Sequence, residues 1–395
     1  MKKLFVLFAS TFLCFCFCGC NLLTSSDSEN LEFNENAVYD SDIIDDNNDD
    51  SFIFTYLSYM EIAVTQQRKT EREYKAYIES LFNNMKKINV TDCFLQVRPF
   101  ADAMYESELF PTSEYCKSAN FDPLKLIIDV AHSFDIDIHG WINPYRCGDN
   151  FTFFGYGKES NEIIKTQSGT YFNPGALSVQ KLIISGVKEL LENYDIKGIH
   201  IDDYFYPPDV YSADKTDFDI YKKSGGKLSL SDWRKENVNA LVKGIYFAVK
   251  SYGDDKIFSI SPSGDIDKNT NEIYADVELW CGENGYCDIV LPQLYFGFDN
   301  ESLPFEQTLS RWLKITDRSK VKIVPVLALY KSGNEDVYAG ESGKMEWIDN
   351  NDIIKRQVEC LRKEKINSFA LYSGSYINFS ETFLSKELYN LKSVL

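Results

Sequence analysis

Gly198-Ile199-His200-Ile201-Asp202-Asp203-Tyr204-Phe205-Tyr206-Pro207 is the stretch that decides the fold. Its apolar start reads as a buried strand, and the strand stops on two adjacent carboxylates. Aromatics and a proline then carry the chain off as a loop. Parallel strands of α/β barrels place their chemistry at their carboxyl ends. A polar pair there is either a catalytic site or a solvated strand end. The other strands favour the first, because they end in the same way.

Working outward, eight extended runs recur: Phe52–Met60, Cys93–Arg98, Ile136–Asn143, Gly198–Asp203, Ile257–Ser261, Ile289–Tyr295, Ile323–Leu329 and Ser368–Tyr372. Helical periodicity falls between them, at Glu71–Lys87, Asp122–Phe134, Ser178–Tyr194, Ser231–Ser251, Phe305–Asp317 and Asn351–Glu364. Ile273–Cys281 is a weaker helix, and Glu381–Leu391 would close the series. Ser178 and Ser231 read as N-caps. Alternating strand and helix implies a parallel sheet. Eight such units imply an α/β fold of the (β/α)8 TIM-barrel type over residues 51–395. Two long loops, Pro144–Leu177 and Tyr204–Leu230, follow strand carboxyl ends and should build the active face.

Side chains alternate along a strand with a period of two. If Asp202 points into the barrel mouth, so does His200. On the second strand Gln96 and Arg98 share a face. On the third, His139, Trp141 and Asn143 do so. Ser259 and Ser261 share one on the fifth strand, and Gln293 and Tyr295 on the sixth. A barrel built only for stability fills that layer with branched apolar residues. Polar side chains there cost free energy unless they find partners. The set reads as a pocket rich in hydrogen-bonding groups, with aromatic faces from Trp141, Tyr145, Tyr204, Phe205, Tyr206, Tyr295 and Tyr372. Sugars suit it: hydroxyls need polar partners, and the C–H faces of the rings stack on aromatics.

The 395 residues are 44% hydrophobic, enough for a large core, and carry a net charge of −19. That charge argues against nucleic acid or an anionic membrane surface as the main partner. Lys2 and Lys3 precede an apolar run from Leu4 to Phe17, a signal-peptide design too short for a spanning helix. The run ends Phe17-Cys18-Gly19-Cys20. A small residue before a cysteine is similar to the bacterial lipobox, which makes residues 1–20 a lipoprotein signal and Cys20 the lipidated residue. Ordinary secretion with cleavage nearby is the alternative. Residues 21–50 hold ten acidic residues and no Lys or Arg. They read as a disordered tether. The expectation is an exported, lipid-anchored monomer on a bacterial membrane. The spacing of the ten cysteines fits no zinc motif. Cys281 and Cys287 are near enough in sequence for a disulfide, though scattered buried thiols are as good a reading. Three histidines without ligand spacing suggest no catalytic metal, and no cofactor is expected.

Five stretches resemble the glycosyl hydrolase-like 10 family of exported bacterial barrels. They are Gln96-Val97-Arg98-Pro99-Phe100-Ala101-Asp102-Ala103-Met104-Tyr105-Glu106-Ser107, His139-Gly140-Trp141-Ile142-Asn143-Pro144-Tyr145-Arg146, Phe172-Asn173-Pro174-Gly175, Gly198 through Pro207, and Leu291-Pro292-Gln293-Leu294-Tyr295. Ser261-Pro262-Ser263-Gly264 and the Phe296 after Tyr295 depart from the family's usual Ser-Pro-Phe-Gly and Trp. The resemblance implies glycan cleavage, with peptidoglycan strands, including strands stripped of peptides, as the substrate class.

Most glycosidases use two separated carboxylates, and substrate-assisted enzymes are an exception. The adjacent pair resembles that of N-acetylhexosamine hydrolases in which the substrate's own acetamide attacks the anomeric carbon. Asp202 would then orient the acetamide and Asp203 act as general acid and base, or the reverse. A two-carboxylate mechanism would draw its second acid from Glu61, Asp102 or Asp299, though Asp102 serves equally as a loop brace. Arg98 and Arg146 could contact a glycan carboxylate, hold Asp202 ionised, or form rim salt bridges. Gln96, Asn143, Tyr204, Ser261, Gln293, Tyr295 and Tyr372 complete the expected substrate contacts with His139, Trp141, Tyr145 and His200. The competing readings are a surface lipoprotein that binds glycan without cleaving it, and a hydrolase of another exogenous polysaccharide.

Overall fold

The computed structural model describes residues 51–148, 161–207 and 209–395. The expected signal segment 1–20 with Cys20, and the tether 21–50, lie outside the described residues. Eight parallel strands form the barrel wall. They are β1 (Ile53–Leu57), β2 (Asp92–Arg98), β3 (Asp137–Ile142), β4 (Gly198–Ile201) and β5 (Ile257–Ile260), then β6 as two segments (Ile289–Val290 and Gln293–Leu294), β7 as two segments (Lys322–Ile323 and Val326–Leu327), and β8 (Phe369–Leu371). These segments make one ten-membered parallel array. β1 pairs with both β2 and β8, and the two halves of β6 pair with the two halves of β7, which closes the ring.

The splits have a simple cause. Pro292 and Pro325 sit mid-strand and have no N–H to give the ladder. Their carbonyls still accept, from Val326 N and Ala370 N, both at 2.9 Å.

One helix packs outside after each strand: α1 (Glu71–Lys86), α2 (Pro123–His132), α3 (Leu177–Asn193), α4 (Leu230–Lys250), α5 (Val277–Gly282), α6 (Phe305–Ile315), α7 (Ile353–Lys363) and α8 (Thr382–Lys392). α1 buries Tyr74, Ile78, Phe82 and Met85, a helical stripe at every third or fourth residue. Thr70 and Glu73 close a capping box at its start, worth about 1 kcal/mol. The expected caps need correction. α4 is capped by Ser229, whose hydroxyl accepts from Asp232 N, and not by Ser231. Ser178 lies inside α3 and donates to Glu162 at 2.5 Å; the residue before α3 is Ala176. The long loops carry structure of their own. The first contains an antiparallel hairpin, Ile163–Thr166 with Gly169–Phe172. The second contains a short helix, Lys215–Lys223. Cys281 and Cys287 are free buried thiols, so the disulfide does not form.

Inside the barrel, Phe54, Tyr56, Phe94, Trp141, Ile289, Leu291, Val324, Val326 and Ala370 pack as one cluster. Each large side chain fully buried there contributes roughly 1.5–3 kcal/mol. Above this dry layer the inward positions turn polar, and the site begins.

Candidate active site

Asp202 stands one residue past β4 and turns inward in phase with His200. It is 4% exposed. Asn143 Nδ2 donates to both of its oxygens, at 3.0 and 2.9 Å, and the Tyr204 N–H donates to Oδ1 at 3.3 Å. Behind Asn143, Gln96 Nε2 donates to Asn143 Oδ1 at 2.6 Å, and the Tyr59 N–H donates to Gln96 Oε1 at 3.2 Å. A backbone N–H can only donate, so it fixes which way both amides point. The relay presents Asp202 with N–H groups, the partners of an ionised carboxylate. Trp141 Nε1 also faces Asp202, without full hydrogen-bond geometry.

Against these donors, burial first and the Asp203 charge second push the Asp202 carboxyl well above the usual range. Burial raises Asp203 too, opposed by the Lys268 charge and the Gln293 amide. Two neighbouring acids in one dry site cannot both ionise easily, so they titrate as a pair that shares a proton.

Several polar atoms beside the pair are buried without a protein partner among the described residues: the Tyr56 hydroxyl, Trp141 Nε1 and Ser261 Oγ. Tyr56 faces Ser261 and Asp202. Such atoms are rare in folded proteins, and beside an acid pair they offer bonding positions to water or to a ligand. Tyr56 was not among the expected site residues.

The rim is aromatic on two sides. Toward β2 and β3, the Arg146 guanidinium lies over the rings of Phe100 (4.6 Å) and Tyr204 (4.8 Å). Tyr59 packs on Phe100 and on Tyr115 beside it. Toward β6–β8, Tyr295, Tyr330 and Tyr372 pack mutually within 6 Å, and Tyr376 extends them outward. Gln293 bonds the Ser261 carbonyl at 3.0 Å and holds the strand ends together.

Other expected residues stand elsewhere. The alternation of Gln96 with Arg98 fails, because the β2–β3 register shifts between them. The bulge turns Arg98 outward onto Phe110, at 4.3 Å, and against Gly186 of α3. Arg98 therefore contributes to the outer wall and not to the mouth. His139 is fully buried below Trp141 and bonds Asp92 at 2.9 Å. His200 bonds Ser259 at 2.8 Å and stacks on Phe94; burial holds its pKa well below the ordinary value, so it stays neutral. Both are core groups. Tyr145 is fully buried beside Tyr206. Asp102 faces Ser113 and Arg98, the loop-brace role. Glu61 accepts from the Ser58 N–H at 2.6 Å, from Ser373 Oγ at 2.6 Å and from the Ser375 hydroxyl. That tie of β1 to the β8 loop leaves its carboxylate occupied. Asp299 is exposed. The groove of about 980 Å³ on α2 and α3 includes Glu106, Lys125, Glu189 and Glu192 and touches none of the mouth residues.

Residues 59–339 match the model of the family described as Glycosyl hydrolase-like 10. Glycosyl hydrolase YngK of Bacillus subtilis (strain 168) is 29% identical over 353 residues, covering 82% of this chain and 66% of the relative. The chain thus spans just under two thirds of that protein's length. Glycosyl hydrolase DigH of Escherichia coli (strain K12) is 27% identical over 351 residues, covering 78% of this chain and 77% of the relative. Among solved structures, the PgaB (BpsB) glycoside hydrolase domain from Bordetella bronchiseptica superposes with a TM-score of 0.55 at 12% identity, over 82% of this chain and 93% of that one. At that identity the likeness is one of fold.

Proposed function

The chain belongs to the glycosyl hydrolase-like 10 family, and from that membership and the acid pair at its barrel mouth we propose that it hydrolyses glycosidic bonds in an N-acetylated bacterial glycan, peptidoglycan strands foremost. The observation that carries the reading is the donor relay onto Asp202 within a buried acid pair whose carboxyls are both raised, Asp202 well above the ordinary range. An ionised Asp202 orients the acetamide of the bound sugar, whose oxygen bonds to the anomeric carbon. Asp203 gives its proton to the departing glycosidic oxygen as that bond breaks. Water then attacks the same carbon, returns a proton to Asp203 and reopens the ring formed by the acetamide. The net change is one water added across one glycosidic bond. The aromatic rims supply stacking faces for flanking sugars.

The positions of Glu61, Asp102 and Asp299 support this route over a second enzymic carboxylate, since two are engaged in loop bracing and the third is solvated. We further propose that the N-terminus directs export with lipid attachment at Cys20, and that a single chain suffices for the site.

Asp202→Asn and Asp203→Asn should each reduce release of reducing ends from glycan strands by at least ~100-fold, the usual scale of acid–base catalysis. Thermal stability should be nearly unchanged. A thiazoline mimic of the cyclised acetamide should inhibit competitively. Turnover retained in either variant, or no inhibition at saturating mimic, would reject the assignment.

A further inference from the structure

We infer that the Val337–Tyr338 tip of the loop after β7 is a distal sugar-binding platform, which takes the C–H face of a pyranose remote from the cleaved bond; this rests on the glycan-hydrolase reading above. Tyr338 is 87% exposed and Val337 66%. Met345, next to the Lys344 carbonyl that accepts the Asp336 N–H, is exposed as well. One apolar side chain in water is ordinary, but a group of them on one loop points to a partner. The loop itself is firmly held. The buried Asp336 carboxylate accepts from Lys331 Nζ at 2.6 Å and from the Tyr338 N–H at 3.3 Å. The Ala339 carbonyl accepts the Glu301 N–H at 2.9 Å, and the Gly333 N–H donates to the Trp347 carbonyl at 2.8 Å. These ties fix the backbone on both sides of Tyr338, so its ring stands in solvent on a rigid support.

Its position connects it to the mouth. The same Lys331 Nζ donates to the Tyr295 carbonyl at 2.7 Å. Hydrogen bonds thus lead from the backbone of Tyr295, at the end of β6, through Lys331 and Asp336 to the backbone of Tyr338. Lys331 directly follows Tyr330 of the aromatic rim. Along that rim Tyr295, Tyr330 and Tyr372 are half-buried and Tyr376 is 38% exposed, so the aromatic surface opens progressively from the acid pair toward solvent, where Tyr338 stands. A polymer cut at the pair must leave the mouth over its rim. Its rings present apolar C–H faces that a tyrosine can cover. A tyrosine ring on a fixed loop loses little conformational entropy on binding. A contact made this far from the reacting bond is alike in ground state and transition state, so it lowers KM and leaves kcat unchanged.

The test uses the full chain, purified in detergent, on peptide-stripped peptidoglycan oligomers graded from tetrasaccharide to dodecasaccharide. For the wild type kcat/KM should rise with length. Tyr338→Ala should raise KM for the longest oligomer about 3- to 10-fold with kcat unchanged, the range of one aromatic contact, and so flatten the dependence on length. Tyr338→Phe keeps the ring and should keep the wild-type dependence. Unchanged kinetics in Tyr338→Ala, or a loss equal at every length, would overturn the inference and leave the hydrolase reading standing. Sedimentation at rising concentration examines the other occupant: a dimer that Tyr338→Ala breaks would give the patch to a second copy and overturn the platform too. Turnover of no oligomer would reject the hydrolase reading, and calorimetric binding of the same series would then decide the platform alone. Affinity that grows with length and is lost in Tyr338→Ala would support it; binding independent of length, or none, would overturn it.

Discussion

Asp202 and Asp203 are chemically alike and differ in what surrounds them. Asp202 faces donors, whereas Asp203 faces Lys268 and the Gln293 amide. Activity in the proposed mechanism needs the pair to hold one proton. The rate should fall on the acid side as the pair gains its second proton, and on the alkaline side as it loses its last. Burial displaces the alkaline limb above the ordinary carboxylate range. Lys268 pulls Asp203 down, so Lys268→Met should move the alkaline limb of kcat to higher pH; an upward shift of the acid limb, with the alkaline limb unmoved, would reverse the assignment of acid and base. Gln96→Glu tests the relay. A carboxylate at 96 can accept the Tyr59 N–H but cannot donate, so Asn143 must turn its carbonyl toward Asp202. Asp202 then needs a proton, and kcat should drop by at least ~10-fold with the acid limb moved upward. Gln96→Met, which imposes no polarity, should do less. Equal behaviour of the two would reduce Gln96 to a packing residue. The sequence made Gln96 and Asn143 visible as inward polar groups. Their service to Asp202 rather than to sugar was hidden, since the Tyr59–Gln96 bond spans 37 residues.

At the scale of elements, the eight strands were legible because their apolar runs alternate with amphipathic helices. The bulge in β2 was not: all seven of its residues are buried, so no period of two marks a slip. Gly186 is the counterpart of that slip. A Cβ there would collide with the Arg98 guanidinium and the Phe110 ring. Gly186→Ala should destabilise the fold by about 1–3 kcal/mol, read by denaturant unfolding, despite alanine's better helix propensity; a gain in stability would mean Arg98 can move aside. Tyr56 carries no mark in the sequence, because all five residues of β1 are buried and no period of two singles out its inward face. The last helix carries a pH-dependent joint. Glu387 of α8 accepts the Ile354 N–H of α7 at 2.7 Å and is fully buried, which raises its pKa to about 7. Between its ordinary 4.5 and about 7 the folded chain keeps a proton that the unfolded chain has released. Stability should therefore fall as pH rises through that window, by on the order of 3 kcal/mol in total. Glu387→Gln should flatten that part of the Tm–pH curve; an unchanged slope would acquit the residue.

At the scale of the molecule, the barrel closes on itself through split strands and gathers residues from β1 to β8 at one mouth. Closure was expected from the count of eight units, while the splitting of β6 and β7 follows from two prolines whose mid-strand positions the ring imposes. The proposed anchor has its own check. Labelled palmitate should enter the wild-type chain in bacterial cells and be absent from Cys20→Ser; equal labelling would remove Cys20 from the account. The central claim is hydrolysis, and it is best tested by digesting peptide-stripped peptidoglycan strands with the full chain in ¹⁸O-water and weighing the products. New reducing ends that each carry one ¹⁸O, and that vanish with Asp203→Asn, are the predicted result. Intact strands, or ends that form without Asp203, would contradict it.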